Sequence, residues 1–207
     1  KKLKAKRVGT LLHGAGIGGL KPLEAAEALA VGSLLANYDY AGYFSKQDED
    51  KSHKILTLTV VEHDAKKISD IEEGLETGSI IAQATNQARD LINTPSNRMT
   101  PEDLAARARA IGKEISAVKV MILGPKDIKE KGMGAYWSVA QGSKQEPRLL
   151  VLRYDGGGRD TYGFVGKGIT FDSGGISLKP AKKMSEMKYD MSGGAAVMET
   201  ILAAAKM

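Results

Sequence analysis

The sequence contains no cysteine, and this absence excludes disulfide bonds, thiolate zinc sites and a cysteine nucleophile. No apolar run approaches the roughly 20 residues that a membrane-spanning helix needs. The basic segment 1–7 lacks a following apolar stretch, so it is not a secretory signal. With 42% hydrophobic and 27% charged residues, the 207-residue chain is typical of a globular protein. Its net charge of +5 is spread along the chain and does not by itself indicate nucleic acid.

Several common catalytic motifs are missing as well. The three histidines do not form a His-Glu-x-x-His pair, and no Gly-x-Ser-x-Gly elbow marks a serine nucleophile. Gly166-Lys167 does not belong to a phosphate-binding loop, because Thr161 stands where that pattern needs glycine and Gly168 follows the lysine. These absences remove three frequent kinds of active site.

A glycine-rich segment matches the dinucleotide fingerprint literally, with Gly14, Gly16 and Gly19 between a predicted strand and a predicted helix. The fingerprint also requires an acidic residue about 20 positions on, at the end of the next strand. Asp39 has that spacing, but its neighbours do not indicate a buried parallel strand. We therefore favour an ordinary glycine-rich turn and rank a dinucleotide site last.

Hydrophobic periodicity predicts alternating strands and helices, which indicates an α/β fold with a mixed β-sheet flanked by helices. Thr100 and Pro101 give a helix start with a good N-cap, and Ser69 with Glu72 suggests a capping box at the start of a long helix. The last helix is apolar on nearly all sides, so it requires burial. Strands are predicted at 8–13, 55–61, 118–123, 136–140, 149–152 and 162–167, and helices at 22–35, 69–91, 101–111, 125–131 and 195–207.

The segment 165–194 concentrates isolated charges among glycines and apolar residues. Phe171, Ile176 and Leu178 suggest a partly buried setting, in which the carboxylates of Asp172 and Asp190 need partners. Oxygen ligands suit Mg, Mn or Zn. From these residues alone, a metal site and a structural network of salt bridges both remain open.

The string Lys-Gly-Ile-Thr-Phe-Asp-Ser-Gly-Gly at 167–175 resembles the leucyl (cytosol) aminopeptidase family of dimetal metallopeptidases. The resemblance is strongest over 165–194 and extends more weakly over most of the chain. It implies the end of an N-terminal α/β domain at 1–66, a connecting helix at 67–92 and the first part of the catalytic domain at 93–207. The weaker matches lie at 24–43, 86–97, 134–143 and 147–152.

The resemblance also implies a site with two divalent metal ions, Mn or Zn, at the edge of the catalytic domain. By motif position, Lys167, Asp172 and Asp190 would be metal ligands, and Lys179 would stabilise the oxyanion of the tetrahedral intermediate. Met187 would line the pocket for the N-terminal side chain of the substrate. A ligating lysine must be neutral, and burial with two nearby dications would lower its pKa. A metal-activated water would then release leucine and similar residues from peptides.

The sequence departs from the family because the second catalytic motif, Asn-Thr-Asp-Ala-Glu-Gly-Arg, does not occur in it. We expect the chain to be a truncated piece of the enzyme with little activity alone, while the full-length protein would be a cytoplasmic homo-hexamer. The alternative is a non-enzymatic binding module with a vestigial site. Nucleic-acid binding is possible for such a module, since the N-terminus is basic, but the sequence does not indicate it.

Overall fold

The computed structural model describes residues 5–40, 42–43 and 54–207, so positions 1–4 of the basic N-terminus lie outside the described residues. The chain divides into two compact units, Lys1–Asn86 and Gln87–Met207. Within the described ranges, no helix is both long enough and apolar enough to cross a membrane. The α/β class is confirmed, and the strands of the described residues form two two-stranded sheets, one parallel and one antiparallel.

The first unit contains a strand-helix-strand arrangement. Strand β1 (Arg7–Leu11) pairs in parallel with β2 (Thr57–Val61), and helix α1 (Pro22–Ala36) lies between them in the chain. One core cluster of this unit comes from the residue after β1, from α1 and from the following helix, and its buried members are Leu12, Ala25, Ala26 and Ile71.

The glycine-rich segment after β1 forms a tight turn, as favoured from the sequence. Gly14, Gly16 and Gly19 all have φ between 78° and 87°, a region that glycine enters without steric cost. The carboxylate of Glu24 accepts a hydrogen bond from the Lys21 backbone at 3.4 Å, so an acidic group stands at the start of α1. Asp39 follows α1 and does not end a strand.

Helix α2 (Ile68–Asn93) follows a 3-10 turn, Ala65–Lys67. The prediction of Ser69 as its cap is wrong, because Asp64 caps the preceding turn by accepting a hydrogen bond from Lys66 N at 3.1 Å. Helical backbone therefore begins before Ser69. Further along, α2 packs closely on α1 through glycine: a Cβ atom on Gly74 would lie 2.2 Å from Leu23 O.

The second unit holds the remaining elements. Helix α3 begins as predicted, since Thr100 Oγ1 accepts from Asp103 N at 3.3 Å and Asp103 Oδ2 accepts from Thr100 N at 2.9 Å. Strands β3 and β4 pair antiparallel, from Val118 opposite Tyr154 to Leu123 opposite Leu149. The elements are α3 (Pro101–Glu114), β3 (Val118–Leu123), α4 (Pro125–Glu130), α5 (Gly134–Ala140), β4 (Leu149–Tyr154) and α6 (Ser192–Lys206).

Two strand predictions in this unit are wrong. Residues 136–140 belong to α5, where Trp137 N donates to Met133 O at 3.0 Å and Lys129 Nζ stacks 3.9 Å from the Trp137 ring centroid. Residues 162–167 pair with no other strand among the described residues, and Val165 is fully exposed. Both segments are short and rich in aromatic and β-branched residues, a composition that favours strands without supplying a pairing partner.

Helix α6 provides much of the second core, as its apolar composition predicted. Met198 and Leu202 are buried, as is Met191 just before the helix. Glu199 lies on the same buried side, 1% exposed, and forms two hydrogen bonds with Arg107 of α3 at 2.7 and 2.6 Å. Arg107 also donates to Gln87 Oε1 at 2.8 Å, and its pairing with Glu199 raises the pKa of the guanidinium against the opposing effect of burial. A buried network thus links α2, α3 and α6.

Candidate functional site

The charged residues singled out from the sequence form two ion pairs in the segment before α6. Lys167 Nζ lies 2.8 Å from Asp190 Oδ2, and Lys179 Nζ lies 2.8 Å from Asp172 Oδ2. The pairs also act on each other, because the charges of Lys167 and Asp172 stabilise one another through space. The expectation that both carboxylates have partners is therefore confirmed.

A tight loop brings Lys179 back onto Asp172. Gly174 (φ 90°) donates its backbone N–H to Asp172 Oδ1 at 2.9 Å, and Lys179 N donates to Ser173 O at 2.9 Å. The Lys179 hydrogen bond is the main cause that lowers the pKa of Asp172, followed by the Gly174 backbone bond, while burial opposes both. Lys179 Nζ also lies 3.0 Å from Met187 Sδ, which joins Met187 to the group.

Asp190 occupies the end of a 3-10 helix, Met184–Met191, that runs directly into α6. Its Oδ2 atom is buried and is paired with Lys167 Nζ, which lies 2.8 Å away. Lys167 itself is exposed over 55% of its side chain. Its pKa is raised, chiefly by the contact with Asp190, so Lys167 carries a proton in this arrangement. The burial expected of a neutral lysine is not found.

The partly buried setting expected for the two aspartates is confirmed, since the side chains of Asp172 and Asp190 are 30% and 19% exposed, but two of the apolar residues that suggested it do not supply the burial. Ile176 is fully exposed and Leu178 is 70% exposed, so these side chains do not wall the carboxylates off from water. Lys183, just before the 3-10 helix Met184–Met191, adopts left-handed backbone (φ 65°), an uncommon conformation for a residue with a side chain.

The residues present fit a divalent cation. An amine nitrogen and two carboxylates converge, and carboxylates are the ligands that hard divalent ions prefer. Asp190 Oδ2 is buried and lies 2.8 Å from Lys167 Nζ, so one oxygen donor and one nitrogen donor are already adjacent. No group of three or more His, Asp or Glu side chains that could hold a metal occurs in the described ranges, so the described residues supply part of a ligand set.

Sequence reasoning missed the backbone contacts that support Lys167. Gly194 N, in the first turn of α6, donates to Lys167 O at 2.7 Å. Gly166 lies against Gly193 so closely that a Cβ atom on Gly166 would be 2.3 Å from Gly193 O. The available signal was the pair Gly193-Gly194 at the start of α6, because glycine has a low helix propensity and its presence there suggests a close backbone contact.

The buried partner of Glu199 was also missed. A lone carboxylate in an otherwise apolar helix is a signal for a buried counter-charge. That signal would have directed attention to Glu199 but not to Arg107, which lies 92 positions away.

A cleft of about 400 Å³ opens beside the ion pairs. Phe171 and Tyr189, the residues that precede the two aspartates, border it, and none of the five predicted site residues does. Lys188 on its rim donates to Asn93 O at 3.1 Å. The remaining lining residues are Pro95, Ser96, Ser185 and Glu186.

Comparison with known proteins bears directly on this site. Residues 86–207 match the model of the cytosol aminopeptidase family, catalytic domain. A probable cytosol aminopeptidase of Koribacter versatilis is 42% identical over 185 residues, covering 88% of this chain and 35% of the relative. One of Syntrophotalea carbinolica is 40% identical over 204 residues, covering 98% and 41%.

Two solved structures are similar to this chain over nearly its whole length. The bottromycin maturation enzyme BotP in complex with Mn superposes with a TM-score of 0.83 at 32% identity, covering 98% of this chain and 41% of that one. A mutant of tomato leucine aminopeptidase gives a TM-score of 0.77 at 26% identity, covering 99% and 39%. The chain thus spans about two fifths of the length of these relatives.

Proposed function

Because the chain belongs to the cytosol aminopeptidase family, we propose that its segment 167–190 contributes part of a dimetal site that removes N-terminal residues, such as leucine, from peptides. The observation that carries the proposal is that Lys167 with Asp190 and Lys179 with Asp172 form two ion pairs, each 2.8 Å long, whose charges act on each other through space. The substrate class and the ligand assignment both come from the family resemblance, and these contacts support the assignment by linking its residues through charge.

Lys167, Asp172 and Asp190 would hold the metal ions, Mn or Zn. The ions would supply Lewis acidity and a low-pKa water for attack on the first peptide bond. Asp172 is well suited to this role because its lowered pKa keeps it ionised. Lys167 must first lose the proton that Asp190 favours, since only a neutral amine binds a metal.

Lys179 and Met187 would act on the substrate. The Lys179 ammonium has three N–H donors; Asp172 accepts one and Met187 Sδ accepts another, so one remains to donate to the carbonyl oxygen as negative charge develops there. Met187 touches the Lys179 amine and offers an apolar thioether beside it, which suits the side chain of an N-terminal leucine.

The competing interpretation is a purely structural network, and the pairing of each lysine with an aspartate favours it. A calorimetric titration of the 207-residue chain with Mn²⁺ distinguishes the metal site from the structural network. We expect Asp190→Asn and Asp172→Asn to weaken Mn²⁺ binding by about 10- to 100-fold. Asp160→Asn, at an exposed aspartate, is the matched control and should bind as the unmodified chain does. Absence of Mn²⁺ binding, or equal binding by all four proteins, would favour the structural network.

We further propose that the 207-residue chain alone has little peptidase activity, since its described residues bring only two carboxylates to the site. Robust cleavage of a leucine anilide by this chain would contradict that. Residues 1–66, 67–92 and 93–207 would be the end of an N-terminal domain, a connecting helix and the first part of the catalytic domain. A cytoplasmic homo-hexamer is proposed for the full-length protein, and its native mass would test the oligomer.

A further inference from the structure

The backbone around Lys167 rests directly on the first turn of α6. Gly194 N donates to Lys167 O at 2.7 Å. A Cβ atom on Gly166 would lie 2.3 Å from Gly193 O and 2.7 Å from Gly194 N. Two stretches of backbone therefore touch with no side chain between them.

This contact has a clear physical origin. The first four N–H groups of a helix have no carbonyl partner inside the helix. Gly194 is the third residue of α6, and its N–H is one of these groups. The Lys167 carbonyl satisfies that donor, but it can approach only because position 166 has no Cβ atom.

The contact fixes both members of one ion pair to the same helix end. Asp190 is attached through the chain, since its 3-10 helix ends at Met191, immediately before α6. Lys167 is attached through the hydrogen bond to Gly194. How closely the backbone at 166 sits on α6 therefore sets the distance that the Lys167 side chain has to span to bring Nζ 2.8 Å from Asp190 Oδ2.

We propose that Gly166 is a positioning residue: its missing side chain lets the Lys167 backbone bind the N-terminus of α6 and so places the Lys167 amine beside Asp190. The placement stands on geometry alone. Its consequence for metal binding rests on the proposed function above.

The chain offers a matched control next to Lys167. Gly168 flanks the lysine on the other side, and a Cβ atom there would meet nothing within 4 Å among the described residues. Neither Gly166 nor Gly168 has positive φ, so alanine suits the backbone at both positions. Gly166→Ala and Gly168→Ala therefore differ in the contact with α6 and not in backbone strain.

Site-resolved amide hydrogen exchange by NMR, without metal, measures the contact directly. Protection of the Gly194 amide must come from Lys167 O, because no intrahelical carbonyl reaches it. Gly166→Ala should speed exchange at Gly194 by about tenfold or more while amides in the middle of α6 keep their protection. Gly168→Ala should leave Gly194 unchanged. A general loss of stability would instead speed exchange throughout the unit.

Gly194→Ala covers the case in which Gly166→Ala fails to fold. A Cβ atom at 194 would lie 3.1 Å from Lys167 O, while alanine in place of glycine favours the helix itself. We expect this variant to keep or raise the melting temperature and yet to exchange faster at position 194. Unchanged protection of residue 194 in both Gly166→Ala and Gly194→Ala, or equal loss in Gly168→Ala, would overturn the proposal.

The second measurement is Mn²⁺ affinity by calorimetry on the same proteins. Displacing Lys167 should weaken Mn²⁺ binding by about 10-fold in Gly166→Ala and not in Gly168→Ala. If the unmodified chain binds no Mn²⁺, the proposed function fails, while the exchange result still decides whether Gly166 places Lys167. If exchange changes as expected and Mn²⁺ affinity does not, the placement stands and its role in metal binding is overturned.

Discussion

Removing Arg107 should destabilise the second unit more than removing its partner. Glu199 is 1% exposed, whereas the Arg107 side chain is 20% exposed. Arg107→Met therefore leaves a buried carboxylate without its counter-charge. Glu199→Gln leaves a guanidinium that reaches water and keeps Gln87 Oε1 as an acceptor at 2.8 Å.

The expected sizes follow from burial. Breaking a buried ion pair by removing one member costs about 3–5 kcal/mol, which we assign to Arg107→Met. A lost hydrogen bond to a charged group costs about 1–3 kcal/mol, which we assign to Glu199→Gln. Replacing both residues by methionine removes both charges and fills a similar volume, so the double variant should fall within about 1 kcal/mol of the original chain.

Urea unfolding followed by tryptophan fluorescence measures these changes in the free energy of unfolding. The chain has one tryptophan, Trp137, which lies in the second unit and reports on it. Arg153→Met, at an exposed arginine of β4, is the control and should have little effect. A loss below about 1 kcal/mol for Arg107→Met, or a double variant as unstable as Arg107→Met, would refute the reasoning.

Three further predictions concern other contacts. Gly74→Ala should lower the free energy of unfolding of the first unit by about 1–3 kcal/mol in urea, because its Cβ atom would meet Leu23 O; Gly32→Ala, with open space around it, should raise it by up to about 1 kcal/mol. Hydrogen bonds from Arg148, followed by Arg109, lower the pKa of the Glu102 carboxyl. The stabilisation that ionised Glu102 gives the folded state is therefore complete at neutral pH and is lost as the pH falls below about 4. Glu102→Gln should therefore flatten the acid side of a plot of urea midpoint against pH. Lys183→Gly should raise the melting temperature slightly by relieving the left-handed backbone, and a lower value would contradict this.

The sequence predicted those elements whose formation depends on residues close to one another in the chain. Thr100 and Asp103 form the helix start that their spacing indicates, and β3 lies where a β-branched run predicts it. The strands predicted at 136–140 and 162–167 failed for a common reason. Strand formation depends on a partner elsewhere in the chain, and composition cannot supply that information.

The candidate site was predictable to a similar degree. Two isolated aspartates in a partly apolar loop indicated that partners exist, and both partners are present. The family resemblance selected Lys167 and Asp190 as candidate metal ligands, but their pairing with each other is visible only in the structure, since no spacing rule predicts it. The close contact of Gly166 with the first turn of α6 was not predictable, because it depends on the distance between two backbone segments that only tertiary structure brings together.

The two ion pairs also differ in when they can arise during folding. Asp172 and Lys179 are seven positions apart, so closing their loop loses little chain entropy and needs no other part of the molecule. Lys167 and Asp190 become neighbours only once α6 has formed a first turn on which the Lys167 carbonyl can dock. We therefore expect the Asp172–Lys179 pair to form early in folding and the Lys167–Asp190 pair to form later, after the first turn of α6. The charge arrangement of the candidate site is then complete only at a late step of folding.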